Sequence, residues 1–125
     1  MDLPRKMATT KQAGDAAEDC ALAHLESAGL RLVARNYRTP GRGGGELDLV
    51  MRDRDGTLVF VEVRRRATAA FGGAAASVGG IKQRRIVFAA RHFLQRLPQP
   101  PPCRFDVVSV QAGVIEWLKA AFDAS

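Results

Sequence analysis

A mixed α/β fold, one central sheet flanked by helices, follows from three observations. Residues 46–66 alternate with period two around an Asp-Gly turn, as a β-hairpin does. Residues 10–28 and 81–97 carry their apolar side chains at helical spacing instead. With the remaining extended segments, the order is α-β-β-β-α-β(β), which packs as helices against a mixed sheet. The 125 residues, 46% hydrophobic and 26% charged, suit one globular domain over 1–125 that buries its own core.

Residues 1–8 read as a loose arm. The first helix has Thr9 or Thr10 as N-cap, Gly29 as its stop, and an apolar stripe through Ala17, Ala21, Leu22, Leu25 and Ala28. Glu18 precedes Leu22 by four residues and so projects from the inward side. "LRLVARNYR" is a short strand closed by a Pro-Gly turn region, and the hairpin follows. A small-residue loop, "ATAAFGGAAASVGG", leads to the second helix, with Ile86, Ala89, Ala90, Phe93 and Leu97 inward. "PQPPP" is a stiff connector, "RFDVVSV" a strand, "GVIEWL" its partner, and "KAAFDA" a frayed terminal turn.

Cys20 and Cys103 form no CxxC, which argues against zinc and for two reduced thiols. No signal peptide or membrane span is visible, so the expected location is the cytoplasm, with no membrane partner. The net charge is +6 but unevenly placed: residues 63–105 hold nine Lys/Arg and no Asp or Glu, leaving the remainder at −3. Such segregation favours a polyanionic partner, because neutralising phosphates releases counterions. Nucleic acid, DNA before RNA, is therefore the expected partner, with Arg65, Arg66, Arg84 and Arg85 as its contacts. A homodimer is compatible with the sequence.

The hairpin register decides what meets. With a three-residue loop, Arg54-Asp55-Gly56, paired residue numbers sum to 110. Asp48 then faces Glu62 and Glu46 faces Arg64, with opposite Cβ atoms about 5 Å apart. The apolar pattern supports this register, with Leu47, Leu49 and Met51 on one side and Val59, Val61 and Val63 likewise. Two adjacent carboxylates repel unless a cation lies between them. Hard oxygen ligands with room for water are what Mg²⁺ or Mn²⁺ accepts. The glycines of "GRGGGE" are followed by no GK[ST], so a nucleotide-binding P-loop is rejected.

"GDAAEDCALAHLESAGLRLVARNYRTPGRGGGELDLV", "LVFVEVRRR", "FGGAAASV", "KQRR", "RFDVV" and "AF" resemble the bacterial YraN family over about residues 11–123. That family looks like a compact branch of the PD-(D/E)XK nucleases, similar to archaeal Holliday-junction resolvases. The resemblance implies a restriction-endonuclease-like αβββαβ core. It also implies a site built from a helix acid, a hairpin aspartate and glutamate, and a lysine two residues later. On this chain these fall on Glu18, Asp48, Glu62 and, in place of the lysine, Arg64.

The arginine matters because a guanidinium keeps its proton and cannot act as a general base. Arg64 can still bind a phosphate oxygen or stabilise developing negative charge. Lys82, at the start of the second helix, is the other candidate cation. With Arg84 and Arg85 it crowds a helix N-terminus that prefers negative charge, a conflict bound phosphate resolves. The expected activity is an Mg²⁺- or Mn²⁺-dependent endonuclease on branched or single-stranded DNA, with Asp48, Glu62 and Glu18 on the metal. The alternative is a noncatalytic nucleic-acid-binding or scaffolding protein with a degenerate site. A protein-interaction module is a third reading.

Overall fold

A computed structural model describes residues 10–65 and 78–124. Its elements are α1 (Thr10–Ser27), β1 (Arg31–Arg38), β2 (Glu46–Arg52), β3 (Leu58–Arg65), α2 (Gly80–Leu94), β4 (Cys103–Gln111) and β5 (Val114–Phe122). The arm at 1–8, Arg66 and most of the small-residue loop lie outside the described residues.

The strands form one sheet in the order β1-β2-β3-β4-β5, antiparallel except for the parallel β3–β4 pair. This is the mixed α/β architecture expected of a restriction-endonuclease-like core. Helices cover both faces, so the middle strands read as apolar runs rather than alternating ones. On one face α2 packs Ile86, Ala89, Ala90 and Phe93 against Val50, Leu58, Phe60 and Phe105. On the other, α1 lays Ala17, Ala21 and Leu25 on Leu49, Met51, Val59, Val61 and Val108. The alanines at i and i+4 let that helix approach closely. Phe60 lies between Phe93 and Phe105 and is fully buried, so cutting it to Ala should cost about 3–5 kcal/mol.

The helix ends are local chemistry. Gly29 adopts φ 100°, and the Leu30 N–H reaches back to the Leu25 carbonyl at 3.1 Å, a Schellman closure capped by the buried Leu25–Leu30 pair. α2 stops at Leu94, three residues before the expected end. Its last turn tightens, with Arg96 and Leu97 donating to Phe93 and Leu94, three residues back.

The hairpin register holds as read. Leu49↔Val61, Val50↔Phe60, Met51↔Val59 and Arg52↔Leu58 pair, and Gly56 takes φ 90° in the three-residue loop. One part of the pattern differs. Leu49 and Met51 face α1, but Leu47 packs on the α2 side. The alternation breaks between the pairs Arg35↔Leu49 and Tyr37↔Leu47, where Asn36 adopts the left-handed φ of 54°.

The terminal segment differs too. "KAAFDA" is no frayed turn, because β5 runs on to Phe122, which pairs with Phe105 and stacks on it at 5.0 Å. A bulge between Phe105 and Val107 and the left-handed Ala120 (φ 51°) accommodate the extension. Among the described residues no helix is long and apolar enough to cross a membrane.

Candidate active site

Asp48 stands at the end of the hairpin where Glu62 lies. Continuing the observed register places the two opposite each other, so that each ionised carboxylate opposes the other. Asp48 Oδ2 accepts the Val63 N–H at 2.8 Å. Glu62 retains only 4% of its side-chain exposure, and its nearest cations are distant. Lys82 Nζ lies 3.6 Å and Arg64 Nη1 4.0 Å from the same Oε1, both beyond good hydrogen-bond range.

The electrostatics follow. Burial and then the neighbouring Asp48 push the Glu62 carboxyl up to about 8, with Lys82 and Arg64 only partly opposing them. Burial likewise raises Asp48, against the Val63 N–H that favours its charged form. Glu18 is raised as well, by burial and then by the charge of Asp48.

Glu18 reaches this neighbourhood from α1, with 14% of its side chain exposed, and is already engaged. Arg35 Nε donates to its Oε1 at 3.3 Å. With its amide turned to present NH₂, Asn36 donates to both oxygens at 3.1 and 3.3 Å. Arg35 further holds Asp19 at 2.7 Å and the Asp15 carbonyl at 3.3 Å, so it ties α1 to β1. Among the described residues Glu18 does not close with Asp48 and Glu62 into a group of three metal-binding side chains. The compact arrangement is the pair, with Glu18 behind it.

Lys82, placed on α2 by sequence, is half-exposed, yet its amine does reach Glu62. Arg64 also turns to Glu62. Its expected cross-strand partner Glu46 is taken instead by Arg38, at 3.5 Å, because Arg38 and Glu46 are partners in the β1–β2 register. Arg65, Arg84 and Arg85 are exposed. Arg84 and Arg85 open onto different cavities, Arg85 beside the glycine loop and Arg84 beside Phe88 and Arg91.

Two features of the site escaped the sequence reading. Asn36 bonds Glu18 and marks the break that turns Leu47 to the α2 side. An asparagine within "LVARNYR" was the available signal, since Asn tolerates the left-handed conformation better than most residues. The second is Arg35, whose contacts require knowing how α1 crosses β1.

The model of the uncharacterised protein family UPF0102 matches residues 17–110. The chain belongs to that family. A UPF0102 protein of Paracidovorax citrulli (strain AAC00-1) is 72% identical over 116 residues, 93% of this chain and 86% of the relative. One from Albidiferax ferrireducens is 70% identical over 119 residues, covering 95% and 93%. One from Cupriavidus pinatubonensis is 60% identical over 121 residues, covering 97% and 93%. UPF0102 is the YraN family that the motifs resembled, and the matched segment carries α1, the hairpin, α2 and β4 through Val110.

Proposed function

We propose that this UPF0102 chain is a metal-dependent phosphodiesterase that cleaves DNA. The observation that supports it most is the buried Glu62 opposite the half-buried Asp48, under-compensated by Lys82 and Arg64 at 3.6 and 4.0 Å. A fold gains nothing from two neighbouring acids that repel each other. Two carboxylates with water and a substrate phosphate suit Mg²⁺ or Mn²⁺, so the residues present fit such an ion. Once bound between Asp48 and Glu62, it would supply charge for a phosphoryl oxygen and acidify a bound water.

The chain's own groups divide the rest. Asp48 is oriented by the Val63 N–H, and Glu62 gives up its proton as the site loads. Glu18, held by Arg35 and Asn36, accepts from water behind the pair. Lys82 brings a mobile amine to the Glu62 side, the role a lysine plays in the nuclease pattern. Arg64 keeps its charge and stabilises the developing negative charge without taking a proton.

The test is cleavage of branched, flapped and single-stranded DNA with Mn²⁺ or Mg²⁺. Wild type is expected to cut, and Asp48→Ala and Glu62→Ala to lose cutting. Arg64→Lys should retain it, while Lys82→Ala should slow it. Equal cutting by wild type and Asp48→Ala would assign the signal to contamination. The arginine at the lysine position favours one other reading, a noncatalytic nucleic-acid-binding protein. That reading requires salt-sensitive binding that persists in EDTA and in Glu62→Ala, with no cutting under any metal.

A further inference from the structure

Beside the carboxylate pair lies a cavity of about 370 Å³ whose lining, Lys82 apart, the proposed chemistry does not use. Gly41, Gly43, Gly44 and Gly45 form one wall, and Arg38, Lys82 and Arg85 bring three positive charges against the single acid Glu46. The wall is built to lie close to α2. A Cβ at Gly45 would collide with the Arg85 carbonyl oxygen and press on Ala89 Cβ at 3.2 Å, so only glycine lets the loop seat there. Thr39 clamps the loop base: its Oγ1 accepts the Gly45 N–H at 2.7 Å, and its own N–H donates to the Gly45 carbonyl at 3.0 Å.

The cavity and the acids are contiguous. Lys82 lines the cavity and also reaches Glu62, while Glu46 lines it two residues before Asp48 on the same strand. The adjoining first turn of α2 contains no acidic residue. A backbone-walled, net-positive pocket suits an oxyanion with several acceptor oxygens, which arginine recognises by paired donors.

We propose that this cavity is a phosphate subsite that holds a non-scissile phosphodiester of the same DNA strand whose scissile phosphate lies at Asp48 and Glu62. The proposal rests on the phosphodiesterase reading for what occupies the neighbouring acids. Arg38 and Arg85 are its anchors, and the backbone of Gly41 and Gly43 to Gly45 is its wall. Arg38 exchanges its 3.5 Å contact with Glu46 for the phosphate. The subsite fixes the register in which a strand meets the acid pair.

Binding of a fluorescent oligonucleotide, measured by anisotropy in EDTA across a salt series, separates this from diffuse basic attraction. Arg38→Ala and Arg85→Ala should each weaken binding several-fold and lower the salt slope by about one. Arg31→Ala, an exposed arginine at the other end of β1, should change neither. Inorganic phosphate should shift the Gly43, Gly44 and Gly45 amide resonances in wild type, and much less in Arg85→Ala.

An unchanged slope in both cavity variants, or an equal drop in Arg31→Ala, overturns the proposal. Amide shifts with phosphate but no change of oligonucleotide slope overturn it in favour of a free-phosphate site. The two readings fail separately. Cleavage lost in Asp48→Ala, with cavity variants binding like wild type, removes the subsite alone. Absent cleavage, with binding lost in the cavity variants, removes the catalytic reading and keeps the subsite.

Discussion

Glu62 on β3 and Asp106 on β4 are both buried acids on neighbouring strands, and their surroundings are opposites. Asp106 is wholly enclosed and accepts from three groups. Arg104 Nε donates at 3.0 and 3.2 Å, the Trp117 indole at 2.9 Å, and the Ala120 N–H at 2.9 Å. Arg104 extends the network to Asp53 at 2.9 Å and so ties the hairpin turn to β4, although its Nη2 has no partner among the described residues. Among the described residues Glu62 has no donor at such distances. It has a second acid opposite it and two cations at 3.6 and 4.0 Å. A fold that fully satisfies one buried carboxylate has the means to satisfy another. On the proposed reading the deficit at Glu62 is where a partner enters from outside, whereas the network at Asp106 is structural.

The largest expected effect breaks the structural side. Asp106→Ala strips Arg104 Nε, the Trp117 indole and the Ala120 N–H of their acceptor and leaves Arg104 only Asp53. Removing one partner of such a buried network costs about 3–5 kcal/mol. Urea unfolding should show it as a lower midpoint with loss of the β5 end. A loss below about 1 kcal/mol would mean that the two acids do not differ as described.

Next comes a change of opposite sign. Glu62 is pushed up to about 8 from an ordinary value of 4.5, so the folded protein holds a proton that the unfolded chain releases. Its stability is therefore fully present below pH 4.5 and falls as pH rises towards 8. Glu62→Gln removes that loss. It should stabilise the metal-free protein by about 3–4 kcal/mol at pH 8 and by less than about 1 kcal/mol at pH 5, read from urea midpoints. Destabilisation at pH 8 would place Glu62 among the satisfied structural acids.

The smallest effect belongs to the exposed Arg38–Glu46 pair. Arg38→Ala should alter stability by no more than about 0.5 kcal/mol, since exposed pairs are screened. A larger loss would show that the glycine loop depends on that contact.

These contrasts were unequally legible in the sequence. The pair Asp48 and Glu62 could be read, because a three-residue turn ending in Gly56 fixes a hairpin register and period-two alternation does the rest. Lys82 was legible as a second cation because helical spacing orients it relative to Ile86. The partner of Glu46 was not. Choosing Arg38 over Arg64 needs the β1–β2 register, and residues 39–45 carry no short-turn signature that sets it. The face of Leu47 was lost for a related reason, since one left-handed residue, Asn36, overrides alternation across two strands. Asp106 read as an ordinary strand residue. Its network draws on Trp117 and Ala120 of a strand that continues through a bulge, and local propensity does not encode that continuation.

Calorimetric titration of the metal-free protein with Mn²⁺ at pH 7, repeated in buffers of different ionisation enthalpy, tests the contrast most directly. With Glu62 protonated at that pH, binding should release about one proton per ion, because the ligands must be deprotonated. Glu62→Gln and Asp48→Asn should lose both the binding and the proton, while Asp53→Asn, at the outer end of the structural network, should keep them. No Mn²⁺ binding to wild type, or binding that survives in Glu62→Gln without proton release, would contradict the assignment of this acid pair as the place a divalent cation enters.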